Sequence, residues 1–119
     1  MSLWKRISLV VAIVVAVLSL ARLGSAQDAK GDAKKGKEVF EANCGICHNA
    51  DSDEDKVGPG LKGISKKPAH KMSDGTEHKD HSAAVLRKQI MEGSSMMPPV
   101  GASLSAEEVS NLIAYLQSL

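Results

Sequence analysis

Apolar positions along this chain follow two kinds of pattern, separated by stretches that follow neither. Residues 7–21 (ISLVVAIVVAVLSLA) are hydrophobic almost without a break and present no polar face. Three later segments space their apolar residues at helical intervals. The first, residues 33–43, follows Asp32 as N-cap and sets Val39 and Phe40 against lysines on the outer face. The second has Ser82 as cap and Gly93 as stop, with Ala84, Val85, Ile90 and Met91 on its partly buried face. The third follows Ser105, with Glu108 three residues on completing a capping box, and aligns Val109, Leu112, Ile113 and Leu116.

Between the first two segments, residues 44–82 are polar and glycine-rich, and no alternation of four residues or more predicts a strand. They read as loop with room for one short helical turn, and "SSMMPPVGAS" reads as a second loop. Three helices, long loops and no sheet predict an all-α protein with one domain and no internal repeat. That much irregular chain is unusual in a compact domain and needs an object to wrap around.

The apolar stretch near the start has a different fate. Lys5 and Arg6 precede it, Arg22 ends it, and Gly24, Ser25 and Ala26 supply the small residues that a signal peptidase reads. A membrane-spanning helix needs about 20 apolar residues, and this run is shorter. The expectation is a signal peptide over residues 1–26 and a mature domain over 27–119, with a retained anchor as the alternative. Loss of Lys5, Arg6 and Arg22 would leave 12 basic residues against 14 acidic ones. No dense basic stripe with interleaved aromatics is present, which excludes nucleic acid as the expected partner. Trp4 would leave with the signal, so Phe40 and Tyr115 remain as the aromatic residues of the domain. A core this poor in large side chains is marginal alone, and a large apolar cofactor would supply the missing bulk.

The chain's two cysteines stand in "CGICH", as Cys44 and Cys47 with His48 directly behind. Four chemistries compete for this group. Structural zinc needs four ligands, and no second cysteine pair exists. A thioredoxin-like dithiol belongs at a strand-to-helix junction, which this sequence lacks. A disulfide across three residues would constrain little chain and would leave His48 unexplained. Covalent haem attachment accounts for all three residues. On one helical turn both sulfurs project to the same side, where they can add to the two vinyl groups of a porphyrin, while His48 offers an imidazole nitrogen to the iron. An export signal agrees with that reading.

Taken in order, these pieces resemble the class I c-type cytochromes, of the small bacterial monohaem kind, from about residue 31 to residue 119. A helix leads into the motif in "GKEVFEANCGICH", a Gly-Pro pair follows in "VGPGLKGI", a methionine stands beside proline in "MMPP", and the chain closes on "LIAYLQSL". The resemblance implies a cytochrome c-like fold of about three main helices wrapped around one haem c, its iron held by His48 and a methionine. It also implies that the Pro59 carbonyl orients the His48 imidazole, and that Gly36 and Phe40 pack against the last helix beside Tyr115.

For the second axial ligand the sequence offers Met72, Met91, Met96 and Met97. Met91 lies within a helix and reads as core, and Met72 lies in the polar loop. The family places its ligand immediately before proline, which favours Met97 over Met96. His70, His78 and His81 read as solvated surface groups, as do the acidic run at residues 51–55 and the lysines of residues 62–71. These charges are candidates for steering a partner. The function implied is a soluble periplasmic one-electron carrier, a monomer in transient contact with redox proteins such as a respiratory complex, an oxidase or a periplasmic dehydrogenase. It is not expected to be an enzyme, and it meets a membrane only if the signal segment is retained. The alternative is a haem subunit of a periplasmic dehydrogenase or a peroxidase-like haem protein.

Overall fold

The computed structural model describes residues 30–71, 75, 77–78 and 80–119. The expected signal segment and Met72 lie outside the described residues. In chain order come α1 (Ala33–Asn43), the 3-10 turn η1 (Ile64–Lys66), β1 (His70–Lys71), β2 (Glu77–His78), α2 (Ala83–Glu92), the 3-10 turn η2 (Val100–Ser103) and α3 (Ala106–Ser118). The class is all-α, as expected. The two strands form an antiparallel ladder of two rungs, His70 opposite His78 and Lys71 opposite Glu77. The sequence reading expected no sheet, and two-residue strands are too short to show as alternation.

Local chemistry explains the helix boundaries. Asp32 caps α1, its carboxylate accepting from the N–H groups of Lys34 and Lys35. Ser105 caps α3 through a complete capping box with Glu108. At α2 the cap residue is Ser82, but its hydroxyl makes no capping bond. The Asp80 carboxylate instead accepts from the Ser82 N–H at 2.9 Å and fixes the entry.

The core forms where α1 crosses α3. Leu112 is fully buried and Val109 nearly so, with Ile113, Leu116, Phe40 and, from α2, Leu86 and Ile90 around them. Gly36 makes the crossing possible. A Cβ there would overlap the backbone carbonyl of Asn111 and come within 2.8 Å of the Tyr115 Cβ, so only hydrogen fits. The Phe40 and Tyr115 rings meet at a centroid distance of 5.5 Å and an interplanar angle of 59°. Buried Asn111 locks the register of the crossing by accepting from the Asp32 N–H at 2.7 Å. The α2 face differs from expectation, because Leu86 is buried while Ala84 is exposed and Met91 is 43% exposed. Leu86 and Ile90 are four residues apart and point one stripe at α3, and Met91 falls outside that stripe.

Candidate haem site

The site is built from the end of α1 outward. The N–H groups of Cys44 and Gly45 both bond to the Phe40 carbonyl, and those of Cys47 and His48 both bond to the Cys44 carbonyl. The motif is therefore one tight turn hung on the helix, with both cysteines half-buried and not joined in a disulfide. Burial, then the neighbouring Cys47, pushes the Cys44 thiol up to about 11. It is not the activated, low-pKa thiol that a dithiol redox centre needs. Among the described residues, no set of three or more His, Cys, Asp or Glu side chains is grouped as metal ligands.

His48 is held from behind. Its Nδ1 lies 2.8 Å from the Pro59 carbonyl. A carbonyl only accepts, so Nδ1 carries the proton and the Nε2 lone pair is left to face a metal. The loop reaches this position through Gly58, whose N–H bonds the Cys47 carbonyl at 2.8 Å. A Cβ on Gly58 would collide with the His48 ring, so the glycine is required by close approach.

Side chains of the loop do more than meet solvent. The acidic residues of the 51–55 run are exposed, as expected, but Asp53 also pairs with Lys67 at 3.0 Å and the Asp55 carboxylate accepts from the Gly60 N–H at 3.2 Å. The half-buried Lys67 ammonium also donates to the Gly60 carbonyl at 2.8 Å. These bonds stitch the loop to itself and hold Pro59 where it is.

Cys44, Cys47, His48, Pro59, Met96 and Met97 all line one cavity of about 470 Å³. Phe40, Leu61, Ile64, Val85, Leu112 and Leu116 give it largely apolar walls. Met97 is half-buried, and its sulfur accepts from the Gln89 amide at 3.5 Å. The second loop also closes on Met97, whose carbonyl accepts from the Ser94 N–H at 2.8 Å. Met96 also lines the cavity but is 70% exposed. An apolar cleft with two half-buried thiols, an oriented imidazole and a thioether on its walls fits a large flat iron-bearing macrocycle.

Gln89 was not singled out in the sequence, although a polar residue between buried Leu86 and Ile90 was a usable signal. His81 is a correction. Expected at the surface, it is 4% exposed and lines the cavity. The backbones of His70 and His78 lie in the small ladder, and their side chains lie outside what the structure describes.

The sequence model of the cytochrome c family matches residues 33–119. The chain is 31% identical over 91 residues to cytochrome c-554(547) of Halothiobacillus neapolitanus, an alignment covering 75% of this chain and 98% of that one. It is 30% identical over 91 residues to a cytochrome c-553-like protein of Synechocystis, covering 76% of this chain and 71% of the relative. Among solved structures it is similar to cytochrome c6 of the diatom Phaeodactylum tricornutum. The TM-score is 0.54 and the identity 26%, over 74% of this chain and 93% of that one. This chain belongs to the cytochrome c family. It is of the small monohaem class I kind, with a covalently bound haem c, and carries electrons rather than acting as an enzyme.

Proposed function

We propose that the protein is an exported one-electron carrier of the periplasm, its haem bonded through Cys44 and Cys47 and its iron ligated by His48 and Met97. When bound, the haem supplies a reversible ferrous-to-ferric change. The chain's own residues do the rest. Pro59 holds the His48 tautomer through Nδ1, which leaves Nε2 as the nitrogen that would hold the iron. Gln89 directs one side of the Met97 sulfur, and the thioether favours the ferrous state more than a second imidazole would. The apolar walls exclude water and raise the cost of the ferric charge. The observation that carries this reading is the convergence of the Pro59-backed His48 and the Gln89-bonded Met97 on one cavity.

Export would follow from cleavage after Ala26, leaving a carrier that docks briefly on redox partners. Among the described residues no helix is long and apolar enough to cross a membrane. The decisive experiment is the absorption spectrum of protein matured in a periplasm, oxidised and reduced, with mass spectrometry of the same sample. The expected results are a haem-sized mass increment that survives denaturation, a start at Gln27, and a sulfur-to-iron charge-transfer band in the ferric state. That band should vanish in Met97→Ala and persist in Met96→Ala. Ready carbon monoxide binding by the reduced wild type would instead indicate an open iron position and a catalytic haem protein.

A further inference from the structure

The cavity wall contains one buried titratable group that the electron-carrier reading leaves unused. His81 precedes the α2 cap, is 4% exposed, and lines the cavity together with Cys44, Cys47, His48 and Met97. Its Nδ1 lies 3.1 Å from the carbonyl of Lys67, the residue that follows η1. Because that carbonyl accepts, Nδ1 keeps its proton whether the ring is neutral or cationic, and the change of charge is confined to Nε2. The bond ties the ring between η1 and the start of α2.

Charged groups reach this position from several elements. On its own segment, Asp80 is exposed, accepts from the Ser82 N–H and interacts electrostatically with His81. Lys67, the residue after η1, sends its ammonium to Gly60 and Asp53. From β1 and the first loop, Lys71, Lys56 and Asp55 line the same cavity, and Lys56 is bonded to the Gly45 carbonyl at 2.9 Å.

We propose that His81 is the residue through which a proton sets the reduction potential of this cytochrome. The inference rests on the one-electron reading above and deepens it. Inside a cavity with largely apolar walls, two charge changes are weakly screened from each other. An imidazolium at His81 opposes the additional positive charge of the oxidised state and so favours the reduced one. Linkage makes the effect reciprocal: reduction weakens His81 as an acid. Reduction by one electron from a partner is then accompanied by uptake of up to one proton from water at Nε2, and oxidation returns both. The potential is highest with His81 protonated and falls as pH rises through the interval between its two acid constants.

The test uses the matured holoprotein, with haem content verified first from its spectrum. Reduction potentials are measured by spectroelectrochemistry from about pH 5 to pH 9, the range in which histidine titrates, for the wild type, His81→Asn and His81→Phe. Asn offers an amide donor to the Lys67 carbonyl but does not titrate. In parallel, the His81 ring protons are followed by NMR in both oxidation states. The expected result is an acid constant about tenfold smaller in the reduced protein, which for one electron equals about 59 mV between the acid and alkaline limbs. Both variants should lose that step. A coloured wild type with a pH-independent potential overturns the proposal, as does an unchanged step in His81→Asn. Should neither variant mature, the NMR decides, and equal His81 midpoints in the two oxidation states overturn it. A colourless protein would instead defeat the electron-carrier reading itself.

Discussion

Where α1 crosses α3, Leu112 and Val109 are sealed from solvent, Gly36 lets two backbones touch, and an aromatic pair closes one side. The loop of residues 44–63 contains no helix or strand and contributes little to that core, apart from the half-buried Cys44, Ala50 and Leu61 beside it. It is held instead by polar bonds: Pro59 to His48, Asp55 to Gly60, Lys67 to Gly60, and Asn49 to the Glu54 carbonyl at 2.7 Å. The crossing derives its strength from apolar burial and close packing, which are cooperative and non-directional. The loop derives its shape from directional bonds, each of modest net worth. A carrier needs both: a frame that does not yield, and a cradle that aims particular atoms. The cradle should be the weaker part until a cofactor fills it.

The largest test of this contrast is Leu112→Ala, because Leu112 belongs to the crossing and also lines the cavity. Truncation of a fully buried leucine should cost about 3 kcal/mol, read as a lowered midpoint in denaturant, with the haem spectrum disturbed as well. Gly36→Ala should cost about 2 kcal/mol by overpacking against the Asn111 carbonyl. It touches the frame alone, so the spectrum of the protein that remains folded should be unchanged. A spectrum that shifts with it would show that frame and cradle are not separable.

Gln89→Leu addresses the cradle alone. Loss of the bond to the Met97 sulfur should cost about 1 kcal/mol, seen as tighter imidazole binding to the oxidised protein with little change in unfolding. Ser105→Ala should also cost about 1 kcal/mol, by removal of the α3 cap, and leave the spectrum alone. The cap has a pH signature too. The Ser105 N–H and hydroxyl hold the Glu108 carboxyl below the ordinary 4.5. A carboxyl lowered by folding stabilises fully above its unfolded-state value, and that contribution is lost as pH falls through the folded-state value. The gap between wild type and Glu108→Gln should therefore close in acid. Smallest of all, Glu107→Gln breaks only the exposed Lys35 pair at 3.1 Å and should change nothing measurable.

Legibility in the sequence divided along the same line. The helices of the frame were read to within a residue, because the Asp32 and Ser105 side chains bond backbone N–H groups two or three positions on and the Gly93 N–H closes α2 on the Gln89 carbonyl, while Ser82 marks the α2 start without a side-chain cap. The stripe on α2 was misread at Ala84 and Met91, since nothing local says which side α3 will approach. In the cradle, Cys44, Cys47 and His48 stood out as candidates because the chemistry proposed for them requires a fixed short spacing. Pro59 and Met97 became candidates through likeness to a family, not from spacing. Gln89 and His81 became candidates only in three dimensions.

The amino-acid order by itself determined the all-α class, the helix ends and the turn that carries both thiols, for these rest on hydrogen bonds and periodicities within a few residues. Only tertiary structure decided that His81 turns inward, that Gln89 meets Met97, and that Gly58 must lack a side chain. Each of those depends on where a loop returns after many residues, and that path is set by burial and bonding across the whole domain, not by neighbours in the chain.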